Sequence, residues 1–262
     1  MKTPAEQPAT LQILSPEQVD RFHRDGYLVV PGFYDAHEAQ AVREWTTEIG
    51  NYPETPGKWM MYFEKSQHNA QDRLLSRVEN FIPYHPGMEK LVCADKMMAA
   101  THQLFGERPV LFKDKINFKL PGGDGFKPHQ DAQAGWEDYG TLHITVMVAV
   151  DEANASNGRL EFCPGQHRRG LIGERWAPMT EEQLAGMEFQ PIDCSPGDAV
   201  FFDSYAPHQS DANLSQKSRR ILYITYGKAS EGDHLKDYYA EKRENYPPDC
   251  ERDPSKVYEF KV

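Results

Sequence analysis

The sequence predicts a mainly β domain, a sandwich or barrel, framed by helices at its N-terminal end. Two patterns carry this expectation. The first hundred residues hold helix-start signals followed by apolar residues at helical spacing. After Pro109 the chain turns to short strand-like runs separated by the Asn157-Gly158, Pro164-Gly165 and Pro196-Gly197-Asp198 turns. With 262 residues, scattered glycine and proline and no repeat, a single domain is expected. Its parts are a disordered lead at 1–14, a mainly helical frame at 15–108, a β core at 109–228 and a tail at 229–262. The tail is expected to wrap the surface as loops and a short helix.

Ser15-Pro16-Glu17-Gln18 supplies an N-cap, a proline at the first helical position and a glutamine three residues after the cap, so a helix starts here and Gly26 closes it. Tyr27 to Val30 reads as a short strand stopped by Pro31-Gly32. Asp35 with Glu38 opens a second helix that turns Val42, Trp45 and Ile49 inward. A third helical stretch runs from about Gly87 to Leu104. Leu111 to Leu120 then alternates with period two, placing Phe112, Ile116, Phe118 and Leu120 on one face and Lys113, Lys115, Asn117 and Lys119 on the other. By the general rule that lysines are exposed, that second face is expected in solvent. Further strands are expected at Leu142 to Val150, Arg159 to Cys163, Ala199 to Phe202 and Arg219 to Tyr226.

A net charge of −11 excludes a phosphate-backbone partner, because nucleic-acid binders carry a basic footprint. No stretch approaches the roughly 18–20 apolar residues of a membrane helix, and the N-terminus lacks the layout of a signal peptide. Cys93, Cys163, Cys194 and Cys250 are too far apart for a CxxC motif and too few for a disulfide framework, so reduced, buried thiols in a cytoplasmic protein are expected.

Ten histidines are more than packing calls for, and the informative ones keep company with carboxylates. In His129-Gln130-Asp131 an extended backbone points residues two apart to the same side, so imidazole and carboxylate can meet on one metal ion. His208, 79 residues on and just after a strand, can complete a facial set of two histidines and one carboxylate. Such a set leaves positions open for a cosubstrate and dioxygen, as in non-haem iron(II) oxygenases. Arg219 opens the next strand, and its planar fork suits a distal carboxylate. His23, His37, His68, His85 and His102 are expected at the surface or in caps; His143 and His167 are open, and Trp136 suits a core or a pocket wall equally.

At these residues the chain resembles the phytanoyl-CoA dioxygenase family of iron(II)/2-oxoglutarate oxygenases. The likeness runs from Ser15 to about Tyr226 and includes Asp25-Gly26-Tyr27, the H-x-D at His129, Asn157-Gly158-Arg159-Leu160, Pro164-Gly165-Gln166-His167, the Pro196-Gly197-Asp198 turn, His208 and Arg219. It implies a double-stranded β-helix, that is, a jelly-roll, cupin-like core. It also implies iron ligation by His129, Asp131 and His208, with Arg219 and Ser210 on the C5 carboxylate of 2-oxoglutarate and Arg77 and Asn117 as further cosubstrate contacts. Gln166 departs from the small hydroxyl residue usual in the family. Relatives that halogenate replace the aspartate by a small residue, so Asp131 implies a hydroxylase that releases succinate and carbon dioxide. A metal-free jelly-roll binding module and a cupin-type oxygenase without cosubstrate are the competing readings.

An acyl-CoA substrate would want a long apolar groove and a basic nucleotide patch, and neither is evident. Lys119 with Arg159 or His167 suits a small anion, and Glu79 with aromatic rings suits an ammonium group. The stretches Trp59 to Glu64, Ser76 to Phe81, Lys115 to Lys119 and Ser230 to Tyr239 are similar to the branch of the family that oxidises 2-aminoethylphosphonate. That implies hydroxylation of 2-aminoethylphosphonate, or an N-methylated analogue, at the carbon next to phosphorus, and pairing with a downstream phosphonate-cleaving oxygenase. Another small zwitterion, amino acid or natural product is the alternative substrate.

Overall fold

The computed structural model describes residues 11–258. The helices are α1 (Pro16–Asp25), α2 (Ala36–Gly50), α3 (Pro86–Val92), α4 (Asp95–Phe105), α5 (Glu181–Leu184) and α6 (Leu235–Asn245). The strands are β1 (Tyr27–Val30), β2 (Met60–Lys65), β3 (Arg73–Glu79), β4 (Pro109–Lys119), β5 (Phe126–His129), β6 (Ile144–Ala149), β7 (Leu160–Phe162), β8 (Gln190–Ile192), β9 (Ala199–Asp203), β10 (His208–Ser210) and β11 (Arg219–Lys228). They form two antiparallel sheets, one ordered β1-β9-β6-β11-β4-β3-β2 and a smaller one ordered β5-β10-β7-β8. This is a double-stranded β-helix with a helical flank.

Both capping boxes form: Ser15 with Gln18 starts α1, and Asp35 with Glu38 starts α2. Gly26, at φ +82°, ends α1, and a Cβ there would collide with the His167 ring. The outer face of the large sheet packs Ile116, Phe118, Val146, Val148, Leu222 and Ile224 against Phe22, Val42, Ile49, Val92 and Leu104 of the helices. Its inner face meets the small sheet through Met147, Val200, Phe202, Ile221 and Tyr223 against Leu160 and Phe162.

Several expectations change. The helical frame contains two strands, β2 and β3, which extend the large sheet beyond β4. The third helical stretch is two helices, because the chain leaves helical geometry at Cys93-Ala94 and restarts at Asp95. Residues 1–10 of the expected disordered lead lie outside the described residues. At its end, however, Leu14 is buried, and the N–H groups of Ile13 and Leu14 both donate to Gln103 Oε1. Phe112 parts from Ile116 and Phe118: a β-bulge between Thr225 and Tyr226 lets it pack on Trp136 and Tyr238 instead. Among the cysteines, Cys163 and Cys194 are buried, but Cys93 and Cys250 are exposed; all four are free. No helix among the described residues is long and apolar enough to cross a membrane.

The C-terminal part is more than a surface wrap. Tyr238 and Tyr239 of α6 are buried, and the Tyr239 hydroxyl accepts from the Asp114 N–H at 3.0 Å while lying 2.9 Å from that residue's carboxylate. Asp114 Oδ2 in turn accepts from the N–H groups of Phe81 and Ile82. One buried carboxylate thus ties α6, β4 and the end of β3 together. Tyr239→Phe leaves the Asp114 N–H without its acceptor. We expect a loss of about 1–3 kcal/mol, read as a lower urea midpoint at unchanged slope; an unchanged midpoint would show that α6 is held by packing alone.

Candidate active site

The face of β4 that carries lysines turns into the barrel, not into solvent. Its register with β11 pairs Lys113 with Thr225, Lys115 with Tyr223, Asn117 with Ile221 and Lys119 with Arg219. Residues directly opposite in an antiparallel pair share a face, so the row of three lysines and an asparagine lies beside the inner residues of β11. Lys113, Asn117 and Lys119 are buried. The rule that lysines are exposed fails here because both edges of β4 are paired and α6 covers the inner side.

His129 ends β5, Asp131 begins the 3-10 turn Asp131–Ala134, and the extended Gln130 between them keeps both side chains on one side. His208 on β10 is the direct partner of His129 across the small sheet. One ligand atom from each of His129, Asp131 and His208 lies within 4.8 Å of the others. The His129 and His208 rings present Nδ1 to the carbonyls of Lys127 (2.7 Å) and Ala206 (3.0 Å). A carbonyl only accepts, so Nδ1 carries the proton and Nε2 is left free to bind a metal. Burial pushes the His129 imidazole down to about 3, helped by neighbouring His208. Burial works against the Asp131 carboxylate, but His208, Lys115 and His129 outweigh it and hold it below its ordinary value. Neutral imidazoles beside an ionised carboxylate are the donor set that a divalent ion requires.

The turn from β9 to β10 sets the position of His208. Asp203 Oδ1 accepts from the Tyr205 N–H at 2.7 Å, and the carbonyl of Ser204 accepts from the Ala132 N–H. Gln130, the middle residue of the H-x-D, is fully buried; its amide donates to the carbonyls of Gly170 and Tyr205 and its oxygen accepts from the N–H groups of Ile172 and Gly173. Nothing in the sequence singles Gln130 out, because its role depends on segments 40 and 75 residues away.

A cavity of about 320 Å³ opens from the triad and is lined by residues that include Arg77, Lys113, Lys115, Asn117, Trp136 and Tyr223. Its roof is α6 with the following residue, through Tyr238, Glu241, Lys242, Asn245 and Tyr246, together with Arg175 and Trp176. The C-terminal segment therefore covers the site, whereas residues 54–66 contribute nothing to the lining.

Arg219 lies beside the cavity, behind Tyr223, and is 1% exposed. Its Nε and one terminal nitrogen are buried without a hydrogen-bond partner. Tyr223 bonds it from one side, but burial of a guanidinium with no acidic partner among the described residues is costly, so the position favours an anionic occupant. Lys119 donates to Ser210 Oγ at 2.8 Å, and burial followed by the adjacent Arg219 pushes its ammonium down to about 6. Arg219, Ser210, Lys119 and Asn117 thus gather at one end of the row; Lys119, expected against the substrate, does not line the cavity, because its register opposite Arg219 and its bond to Ser210 hold it at this end.

Three expected contacts lie elsewhere. Arg159 pairs with Asp193 at 2.6 Å, and His167 packs on Gly26 with Nε2 3.3 Å from the His23 carbonyl; neither lines the cavity. Leu160 and Phe162 take the core side of β7, so Arg159 emerges on the opposite side, and His167 lies in the 3-10 turn Gln166–Arg169 against the end of α1. Glu79 is wholly buried, but Lys242 meets its carboxylate at 2.5 Å and Arg77 at 3.5 Å, so it is not open to an ammonium group. Trp136 is a pocket wall and a buried core ring at once. His143 is buried against Phe112 and Trp136, and His85 caps α3 by accepting from the Met88 N–H.

The phytanoyl-CoA dioxygenase (PhyH) family profile matches residues 22–221. The chain belongs to this family, and it is an enzyme. It is 43% identical over 243 residues to a 2-aminoethylphosphonate dioxygenase from an uncultured bacterium (HF130_AEPn_1), covering 92% of each chain. It is 39% identical to the methylphosphonate hydroxylase of Gimesia maris, covering 89% of this chain and 88% of that one. Among solved structures, the apoform of EctD from S. alaskensis superposes with a TM-score of 0.72 at 20% identity, over 86% of this chain and 81% of that one. The epimerase SnoN, solved with Fe3+ and alpha ketoglutarate, gives 0.67 at 21% identity over 81% and 83%. These superpositions show that the fold is the one shared by EctD and SnoN.

Asp203 offers a pH test of the turn that carries His208. Its carboxyl is pushed up to about 6 by burial, against 3.8 when unperturbed. Between these values folding takes up a proton, so stability falls as pH rises through that window and the penalty persists above it. Asp203→Asn keeps an acceptor for the Tyr205 N–H and cannot ionise. The variant is expected to gain on the parent in thermal midpoint from about pH 4 to about pH 6 and to hold that gain at neutral pH; a difference that does not vary with pH would refute the assignment.

Proposed function

We propose that this enzyme is an iron(II)- and 2-oxoglutarate-dependent hydroxylase of a small phosphonate, acting at the carbon next to phosphorus. The donor chemistry fits the metal: two imidazoles protonated on Nδ1 and one ionised carboxylate converge from His129, Asp131 and His208. The single observation that carries the cosubstrate is the buried Arg219 guanidinium with unpartnered nitrogens, beside Ser210 and Lys119. A dicarboxylate with one end on Arg219 and the other toward the triad satisfies it, with Asn117 and Arg77 along the way. Iron and 2-oxoglutarate, when bound, supply the oxidant: dioxygen is consumed, 2-oxoglutarate leaves as succinate and carbon dioxide, and one oxygen atom enters a substrate C–H bond.

The protein's own share is position and exclusion. Thr145 Oγ1 lies 3.4 Å from Asp131 Oδ2 and 2.9 Å from Thr225 Oγ1, which fixes the carboxylate against the large sheet. Trp136, Tyr238, Trp176 and Tyr246 line the cavity with aromatic rings that narrow its contact with water. The substrate class rests on the two phosphonate-oxidising relatives and on the surplus of cations over free carboxylates in the lining; 2-aminoethylphosphonate, or an N-methylated analogue, is the preferred substrate, and the smaller methylphosphonate the next. A buried Arg219 with two unpartnered nitrogens and no acidic partner among the described residues weighs against both a binding module and an oxygenase without cosubstrate.

Anaerobic iron(II) and 2-oxoglutarate are expected to produce a weak visible charge-transfer band that His129→Ala abolishes. Arg219→Met should raise KM for 2-oxoglutarate roughly ten- to hundredfold, because a charge-assisted contact contributes about 1.5–3 kcal/mol. Aerobic turnover with 2-aminoethylphosphonate and methylphosphonate should release one succinate per hydroxylated product. Succinate formed without oxidation of any phosphonate sinks the substrate assignment.

A further inference from the structure

Five cations line the cavity without sharing one role, and Arg175 of the roof is already paired with Asp138 at 2.8 Å. Arg77 and Lys242 both turn to the buried carboxylate of Glu79, at 3.5 and 2.5 Å. Lys113 and Lys115 have no ion pair with any described residue. The Lys113 ammonium lies over Trp136 (5.2 Å) and Tyr238 (5.5 Å), and that of Lys115 over Tyr223 (4.7 Å). Aromatic faces hold an ammonium in place but neutralise nothing. The carboxylates near them are shared: Glu79, directly opposite Lys115 on β3, already takes Lys242 and Arg77, and Asp131 belongs to the triad, so positive charge is left in excess beside the triad.

The register separates the two ends of the lysine row. Arg219 sits opposite Lys119, while Lys113 sits opposite Thr225, whose hydroxyl leads through Thr145 to Asp131. The two ends of the row are six residues, about 20 Å, apart along the strand. A five-carbon diacid held by Arg219 ends at the triad and does not extend past it to Lys113. The far end needs a second anion, seated under α6.

On the basis of the reading above, we propose that Lys113 and Lys115 form the cradle for the phosphonate group of the substrate, with Glu79 as a positioning residue that holds Lys242 at its rim and Arg77 on the side of the cosubstrate. One strand then sorts two anions: the carboxylate of the cosubstrate at the Arg219 end and the phosphonate at the Lys113 end. Phosphonate oxygens on these lysines leave the carbon bonded to phosphorus as the nearest C–H to the metal, which accounts for attack at that carbon. A dianion is favoured over a monoanion of the same shape, since two ammonium groups face it.

The test uses the whole enzyme loaded anaerobically with iron(II) and 2-oxoglutarate, titrated with 2-aminoethylphosphonate and with its monoanionic isostere 2-aminoethanesulfonate. The parent should prefer the phosphonate by at least tenfold in Kd. In Lys113→Gln and Lys115→Gln that preference should collapse toward unity and the phosphonate Kd should rise at least tenfold, while the charge-transfer band and the Kd for 2-oxoglutarate stay within about twofold. Lys113→Arg should restore much of the preference, which a purely structural role would not produce. Hydroxylation of 2-aminoethylphosphonate with undiminished preference in both glutamine variants overturns the cradle and leaves the proposed activity standing. A parent enzyme that binds neither phosphonate nor sulfonate overturns both. Loss of the band in Lys115→Gln alone assigns that lysine to the cosubstrate and overturns its place in the cradle.

Discussion

In a strand the side chain changes face at every residue, so the pairing of β11 with β4 decides what the barrel contains. With Arg219 opposite Lys119, the residues Lys113, Lys115, Asn117 and Lys119 point inward and Ile116 and Phe118 pack against the helices. A slip of one residue would reverse every one of these directions, fill the cavity with apolar rings and set four polar groups against a hydrophobic layer. The outer face is sealed by Ile116, Leu222, Ile224 and Val146 under the helices, so such a slip carries a large burial penalty. The hydrophobic outer layer thus enforces a cationic inner one.

That inner layer is electrostatically unfinished. Buried Arg219 has nitrogens without partners, Lys119 is depressed by burial, and Lys113 and Lys115 rest on aromatic rings. A core built only for stability would not keep such groups. Their cost is offset when anions and a metal bind, which couples ligand binding to the stability of the barrel. The roof belongs to the same arrangement: α6 brings Lys242 to Glu79 and Tyr239 to Asp114, so the helix that covers the cavity is anchored by two buried carboxylates of the strands beneath it.

Much of the frame was legible because its signals are local. Capping boxes at Ser15 and Asp35, the glycine that ends α1 and the period-two alternation of β4 each need only a few neighbouring residues. The H-x-D and its distal histidine were legible because metal chemistry restricts the residue types. Strands β5, β8 and β10 have three or four residues and show no usable period, and β2 and β3 pair only with each other and β4, partners that local propensity cannot name. Arg159 and His167 were misplaced for the same reason: being basic and near a turn does not say on which side of the sheet a side chain emerges. Gln130 was passed over as a spacer although four hydrogen bonds converge on it.

The sequence by itself determined the residue inventory of the site and the alternation of β4, because ligand chemistry and strand periodicity are properties of the chain alone. It also determined the family. Only the tertiary structure decided that the lysine face is inside, that Glu79 is spent on Lys242 and Arg77, and that the C-terminal helix is the roof. Each of these depends on which distant strand or helix lies alongside. The same lysine is a solvated charge on an open strand face and a ligand-binding group on a covered one, and what covers it lies more than a hundred residues away.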